Sequence, residues 1–230
     1  MAELFDDYQA NYQDVVADSI SFSGLGHDFF MQAKADLIER RLDAEGLLKP
    51  HPAARCVDIG CGVGRMHPYV KGMFASIDGC DISEASIARA RSENPTLRYS
   101  TYRAPRLPYA DGSFDFAMTV CVMHHVPPPD RPGFLAEMRR VLRPRGLACV
   151  IEHNPFNPAT RLAVMRCPFD EDAVLLGSGT TLELMRAAGF QDATKEFFLL
   201  LPTARRIARR METLLSSLSL GAQYACIARA

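Results

Sequence analysis

The sequence lacks several features that would assign it to a specialised class of protein. It contains no apolar run of the roughly 20 residues that a membrane-spanning helix needs. Its formal net charge is only −1, which argues against a general nucleic-acid binder and leaves only a local basic patch open. Internal repeats and low-complexity tracts are also missing. With 230 residues, of which 48% are hydrophobic, the chain can bury a full core, so we expect one domain with additions.

Targeting signals and a disulfide framework are missing as well. The first seven residues are acidic and show no basic stretch followed by an apolar one, so we expect no secretory signal. The cysteines are odd in number and scattered along the chain, which predicts buried free thiols in a reducing cytoplasm rather than disulfides or a zinc framework. They are Cys56, Cys61, Cys80, Cys121, Cys149, Cys167 and Cys226.

The strongest local signal is the stretch at residues 55–65. Residues 56–59 are largely apolar and precede three closely spaced glycines, which predicts a buried parallel strand followed by a tight turn. Without Cβ atoms, Gly60, Gly62 and Gly64 let the backbone turn sharply and let a flat ligand lie against the main chain, at the amino end of the next helix. The stretch therefore predicts a ligand site at the carboxyl edge of the strand.

The second predicted strand identifies the kind of ligand. It ends in Asp81, whose carboxylate can accept two hydrogen bonds from a ribose diol, and an acid there suits any adenosine ligand. The glycine spacing is G-x-G-x-G with Asp58 just before it, whereas a nicotinamide dinucleotide turn would need G-x-G-x-x-G. The spacing therefore argues against an NAD-dependent oxidoreductase, which remains the less favoured alternative.

Taken together, D-I-G-C-G-V-G followed by G-C-D-I-S closely resembles the first two motifs of class I S-adenosylmethionine-dependent methyltransferases. Residues 107–115 (L-P-Y-A-D-G-S-F-D), 122–126 (V-M-H-H-V) and 142–146 (L-R-P-R-G) are similar to later motifs of that family, in the same order. The resemblance covers residues 50–152. It implies an α/β fold with a doubly wound, seven-stranded, mostly parallel sheet and an antiparallel last strand, and S-adenosylmethionine as the cofactor, released as S-adenosylhomocysteine.

The same resemblance suggests how the chain is organised. Residues 1–50 would form an amino-terminal helical cap, and residues 51–230 the methyltransferase domain. Two insertions would lie on the substrate side, an irregular one at 155–176 and a helical one at 202–220 before the last strand. The arginines of the second insertion suggest a basic lid for an anionic substrate, a weak membrane-surface contact through 203–218, or simply a solvated face.

By resemblance, Asp58 and the three glycines hold the methionine part of the cofactor, Asp81 holds the ribose, and Ile82 packs on the adenine. Many relatives carry an acidic residue where this sequence has Arg103. Arginine offers no acceptor for the adenine amino group, so it would stack on adenine or leave that group to backbone or water. The predicted cofactor contacts are Asp58, Gly60, Cys61, Gly62, Gly64, Asp81, Ile82, Tyr102, Arg103 and Cys121.

Histidines dominate the candidate catalytic residues. We expect His153, at the end of the fifth strand, to act as a general base, with Glu152 holding its tautomer or polarising the acceptor; alternatively, both residues merely tie the loop down. His124, His125 and Tyr12 are the reserve candidates. For the adjacent histidines we predict no metal, because neighbours in an irregular loop point apart and no acidic or cysteine partner lies at ligand spacing.

Candidate substrate contacts complete the prediction. They are Tyr8, His27, Glu152, Asn154 and Asn157, each with a structural alternative such as a helix start, a turn or a cap. The predicted function is methyl transfer to a small-molecule acceptor, anionic or glycan-like, with oxygen, nitrogen and carbon acceptors and the oligomeric state left open. A non-catalytic protein that binds S-adenosylmethionine is the alternative, and no nucleic-acid partner is expected.

Overall fold

A seven-stranded sheet organises the molecule. The structure, a computed structural model, describes residues 18–48, 53–200 and 216–230. The strand order is β3-β2-β1-β4-β5-β7-β6. The strands are β1 (Arg55–Ile59), β2 (Ser76–Asp81), β3 (Arg98–Thr101), β4 (Phe114–Val120), β5 (Leu142–His153), β6 (Gln191–Phe198) and β7 (Gln223–Arg229).

Pairing within the sheet confirms the predicted fold class. β1 lies between β2 and β4 and runs parallel to both, and the β2–β3 and β4–β5 pairs are parallel as well. β7 is antiparallel to both of its neighbours, β5 and β6. The carboxyl ends of β1, β2, β4 and β5 therefore meet at one edge of the sheet, where ligands bind in open α/β folds.

Helices cover both faces of the sheet, as a doubly wound fold requires. The α-helices whose bounds both lie in the described part of the chain are α1 (His27–Ala44), α2 (His67–Val70), α3 (Glu84–Glu93), α4 (Arg131–Val141), α5 (Pro158–Arg166) and α6 (Ser178–Ala187). Apolar residues of α1 and α2 share one core with Phe116 and Met118 of β4. Those of α4 and α6 share a second core with Ala117. The alternation along β4 reflects the two-residue period of a strand buried on both sides.

Helix α1 packs into the core of the domain. Its residues Leu37, Ile38 and Leu42 are almost completely buried in the first core, beside strand residues such as Phe116. The predicted cap, residues 1–50, includes this helix as well as residues 1–17 and 49–50, which lie outside the described residues. The division of the chain into cap, domain and insertions stays a prediction.

Some element bounds differ from the prediction for clear local reasons. The insertion at 155–176, predicted as irregular, contains α5, because Asn157 caps this helix by accepting the Thr160 N–H at 3.0 Å and Pro158 occupies its first turn. Most of the predicted helical insertion at 202–220 lies outside the described residues. In the ranges that the structure describes, no helix combines the length and the apolar character needed to cross a membrane.

Candidate active site

A cavity of about 910 Å³ opens at the carboxyl edge of the sheet. One end is lined by the glycine turn after β1 and by Asp81 and Ile82 at the end of β2. The other is lined by the histidines after β4 and by His153 at the end of β5. Residues of α1 and of the segment before it line the cavity as well. We refer to these two ends as the cofactor end and the acceptor end.

The glycine turn has a backbone that only glycine adopts easily. Gly60, Gly62 and Gly64 all have positive φ angles, of 76°, 51° and 75°. A Cβ atom on Gly60 would lie 2.6 Å from Cγ2 of Val122, so the ends of β1 and β4 approach each other too closely for a side chain. Gly62 lines the cavity, and a Cβ on it would meet no atom of the described chain within 4 Å, which leaves that space to a ligand.

Asp81 holds the glycine turn in place. Its Oδ2 atom accepts the Gly62 N–H at 2.8 Å, and its Oδ1 atom accepts the Ser83 N–H at 3.0 Å. Burial raises the pKa of this carboxyl group, while the backbone N–H groups act in the opposite direction. Each oxygen retains acceptor capacity toward the cavity, so Asp81 can support the turn and bind ligand hydroxyls together.

Asp58 presents one buried acceptor atom that has no hydrogen-bond partner among the described residues. Its Oδ2 atom lies 3.0 Å from His67 Nε2, and His67 Nδ1 lies 2.5 Å from the Tyr99 hydroxyl oxygen. Its Oδ1 atom is buried without a hydrogen-bond partner in the described part of the chain, which costs free energy unless a ligand supplies a donor. Since Asp58 lines the cavity, the ammonium group of S-adenosylmethionine fits this position.

His67 and Tyr99 were not among the predicted site residues. His67 follows the glycine turn closely, but no spacing rule connects it with a tyrosine on the edge strand β3. A Cβ on Gly64 would lie 2.8 Å from the Tyr99 hydroxyl oxygen. Gly64 therefore makes room for this hydrogen-bonded group.

The predicted adenine contacts separate into two groups. Ile82 and Tyr102 line the cavity, as do Cys61 and Cys121. Arg103 is exposed and is not among the described residues of the lining. Its contact with adenine stays a prediction.

At the acceptor end, His124 lies between two carboxylates. Its Nδ1 atom is 2.6 Å from Glu152 Oε2, and its Nε2 atom is 3.3 Å from Asp170 Oδ1. The same Asp170 oxygen is 3.4 Å from Nε2 of His125. The expectation that these histidines have no acidic partner at ligand distance is wrong, because the fold brings Asp170 from the segment after α5.

Glu152 has a different partner from the predicted one. It is completely buried, and its Oε1 atom accepts the N–H groups of Val122 and Met123 at 2.9 and 2.7 Å. Successive side chains of a strand point to opposite faces, so Glu152 contacts His124 and not its neighbour His153. His153 lies in the cavity wall with Gln223 Nε2 at 3.4 Å from its Nδ1 atom.

The charges at this end are strongly coupled. Burial opposes protonation of His124, but Glu152 and Asp170 raise its pKa well above the usual value. Burial alone would raise the pKa values of both carboxyl groups, yet His124 holds them below their usual values. Burial, assisted by the cationic His124, lowers the pKa of His125 and of His153 to about 4. At neutral pH, His124 is therefore the cationic histidine and the other two are neutral.

The predicted asparagine contacts have structural partners. Asn154 is buried and its amide nitrogen donates to the carbonyl oxygens of Ser219 and Gly221. Asn157 caps α5, donates to Leu220 O at 2.8 Å and also lines the cavity. Both amide groups thus connect this loop to residues 219–221. This is the structural role that was given as the alternative to substrate contact.

Helix α1 contributes two polar residues to the cavity. His27, at its start, lines the cavity, and burial together with nearby Lys34 and Arg65 lowers the pKa of His27 to about 4. Lys34, which the sequence analysis did not select, is buried in the lining, and burial lowers its pKa. Its signal in the sequence was a lysine within the apolar face of α1. Tyr8, Tyr12 and most of 203–218 lie outside the described residues.

Comparison with known proteins extends this picture. Residues 57–150 match the family model of the methyltransferase domain. A demethylmenaquinone methyltransferase from Beutenbergia cavernae is 32% identical over 152 residues, which cover 66% of this chain and 57% of that protein. A 2-methyl-6-phytyl-1,4-hydroquinone methyltransferase from a Synechocystis species is 30% identical over 129 residues, 54% of this chain and 40% of that protein. The chain spans about half the length of the curated relatives it matches.

A solved structure agrees over the whole chain. The crystal structure of an S-adenosylmethionine-dependent methyltransferase from Thermotoga maritima is similar with a TM-score of 0.67 and 23% identity, covering 100% of this chain and 99% of that one. At this identity the likeness establishes the fold. With the sequence matches and the glycine turn, it leads to one conclusion: residues 57–150 form a methyltransferase domain, in a chain with the fold of S-adenosylmethionine-dependent methyltransferases.

Proposed function

We propose that this protein transfers the methyl group of S-adenosylmethionine to a small, largely apolar acceptor of the hydroquinone type. The observation that carries the proposal is the continuous cavity, which joins the glycine turn to the histidine cluster. A methyl donor at one end and an acceptor at the other would share one continuous space. Because the sulfonium makes the methyl carbon electrophilic, the protein mainly has to align the nucleophile and exclude water.

The lining of the acceptor end supports the choice of acceptor. Phe30, Met31, Val164, Phe169 and Leu199 all line the cavity, and apolar walls of this kind bind ring systems and alkyl chains. Two relatives carry names that specify a hydroquinone and a demethylmenaquinone. These observations favour an apolar aromatic acceptor over the glycan-like one expected from the sequence.

Different residues would bind the cofactor and accept the proton of the acceptor. Asp58 Oδ1 would accept the ammonium group of the cofactor, and Asp81 would accept its ribose hydroxyls. His153, neutral near pH 7, has a nitrogen lone pair available for the proton of an acceptor hydroxyl, although a pKa of about 4 makes it a weak base. His124 is less suited to this role, because it is already protonated between two carboxylates.

The first experiment measures the affinity of the protein for the cofactor. Purified protein is titrated by calorimetry with S-adenosylmethionine, S-adenosylhomocysteine and, as a control ligand, NAD. We expect micromolar binding of both adenosyl compounds and none of NAD. Asp81→Ala should weaken this binding at least thirtyfold, about 2 kcal/mol, whereas Asp111→Asn, at an exposed ion pair with Arg140, should not change it. Absence of binding by both adenosyl compounds would contradict the proposal.

The second experiment measures transfer. Reduced quinones with short and long side chains are incubated with protein and S-adenosylmethionine, and methylated products are detected by mass spectrometry. We expect products from substituted hydroquinones, and a catechol and a sugar serve as comparison acceptors. Tight cofactor binding with transfer to sugars alone would overturn the acceptor class. Binding without transfer to any acceptor would favour the non-catalytic alternative.

A further inference from the structure

We propose that His124, His125 and Asp170 form a binding site for a divalent transition-metal ion at the acceptor end of the cavity. One atom from each side chain, the Nε2 atom of each histidine and a carboxylate oxygen of Asp170, can face a common point, and potential ligand atoms of all three lie within 4.8 Å of one another. The three residues also line the cavity. This site would be additional to the cofactor contacts and does not depend on which acceptor is methylated.

The distances between these atoms suit a single ion. Zinc binds imidazole nitrogen and carboxylate oxygen at roughly 2.0–2.2 Å, so two ligand atoms on one tetrahedral ion lie about 3.3–3.5 Å apart. Asp170 Oδ1 is 3.3 Å from His124 Nε2 and 3.4 Å from His125 Nε2. Two edges of a coordination tetrahedron are therefore already in place.

Glu152 supplies the support that metal-binding histidines usually have. A histidine ligand commonly donates its other ring N–H to a carboxylate, which fixes its tautomer and orientation. Glu152 Oε2 lies 2.6 Å from His124 Nδ1, on the side of the ring away from Asp170. The carboxylate is itself fixed by the N–H groups of Val122 and Met123. Glu152 thus orients the His124 ring, and an ion that binds Nε2 would displace the proton that this atom carries in the metal-free protein.

The kind of ion follows from the donor atoms and their surroundings. Two imidazoles and one carboxylate suit zinc, iron, cobalt or nickel better than calcium or magnesium, which prefer oxygen ligands. The side chains of His124, His125 and Asp170 are only 1%, 15% and 10% exposed, so the site is largely shielded from solvent. The remaining coordination position would face the cavity, where an oxygen atom of the acceptor could occupy it.

The test uses the whole chain without cofactor or acceptor, so that its result does not depend on methyl transfer. Protein treated with a chelator and then freed of it is titrated with Zn²⁺ by calorimetry, with Mg²⁺ as the comparison ion. Bound metal is counted by mass spectrometry. We expect one zinc ion per chain with micromolar or tighter affinity, and at least a hundredfold weaker binding of Mg²⁺.

Variants separate this site from binding to the free thiols. Asp170→Asn and His125→Gln should each lower the zinc affinity at least tenfold, and Asp172→Asn, at an exposed acid nearby, should leave it unchanged. Co²⁺ bound to the unsubstituted protein should give the visible absorption of a four-coordinate site, which Asp170→Asn removes. Thermal melting confirms that each variant is folded. Failure of the unsubstituted protein to bind Zn²⁺ stoichiometrically, or equal binding by folded Asp170→Asn, would overturn the proposal.

Discussion

The two ends of the cavity are built from different parts of the chain. At the cofactor end, a short stretch from Asp58 to Ile82 supplies a turn, two strand ends and backbone N–H groups. At the acceptor end, charged side chains meet from four separate segments: α1, the loop after β4, the end of β5 and the segment after α5. A cofactor bound there would contact a local backbone motif, whereas the acceptor end depends on individual side chains from separate segments.

The largest expected effect follows from breaking the backbone motif. Gly60→Ala places a Cβ atom 2.6 Å from Val122 Cγ2 at a φ of 76°. We expect a loss of about 2–5 kcal/mol in the free energy of unfolding, from left-handed backbone strain and overpacking, and a loss of cofactor binding. Urea denaturation and calorimetry measure both.

A control and a partial rescue define the cause. Gly72→Ala, where an added Cβ meets no atom of the described chain within 4 Å, should be nearly neutral. Adding Val122→Ala to Gly60→Ala should recover the steric part of the loss while the backbone strain remains. An unaltered cofactor affinity in folded Gly60→Ala would contradict the view that this end depends on its backbone.

The matching change at the acceptor end is Glu152→Gln. The amide keeps an oxygen for the Val122 and Met123 N–H groups but cannot offset the charge of His124, so we expect about 2 kcal/mol lower stability. Cofactor affinity should stay within twofold, because the glycine turn is intact. Glu183→Gln, at an exposed position on α6, is the control. A tenfold loss of cofactor affinity in Glu152→Gln would mean that cofactor binding depends on the acceptor end as well.

This difference explains what the sequence could predict. The glycine turn and Asp81 belong to short motifs whose geometry follows from backbone sterics, so their position at the sheet edge could be predicted. The approach of Asp170 to His124 depends on the path of the chain after α5, which no local pattern specifies. For the same reason the partner of Glu152 was misassigned: it depends on strand alternation within the folded sheet.

We expect a smaller effect of pH on the stability of the folded protein, through His27. The pKa of His27 is lowered to about 4 in the folded protein, against about 6.5 in an unfolded chain. Between these values the unfolded state binds more protons, so this residue costs stability as pH falls from 6.5 toward 4.

His27→Gln should remove that cost. We expect the difference in melting temperature between variant and unsubstituted protein to grow in favour of the variant by ~2–4 °C from pH 7 to pH 5. Calorimetric scans at several pH values measure it. A constant difference across this range would show that His27 titrates normally. Lys34 and Arg65, which also line the cavity, both contribute to the shift.

The smallest effect is expected at the adenine edge. Arg103 is exposed, so Arg103→Ala should change the affinity for S-adenosylmethionine less than twofold, whereas Tyr102→Leu, in the lining, should weaken it about tenfold. Calorimetric titration of both variants with S-adenosylmethionine measures these affinities. A tenfold loss with Arg103→Ala would place this side chain against the adenine after all.

One contact crosses from one end of the cavity to the other. Val122 donates its N–H to Glu152 and has its side chain against Gly60, so a shift of the carboxylate is transmitted through Val122 to the turn. If a ligand beside His124 moves Glu152, its binding energy and that of the cofactor become coupled, and the coupling must be reciprocal. We therefore expect the first ligand to change the affinity for the second by the same factor in either order of addition.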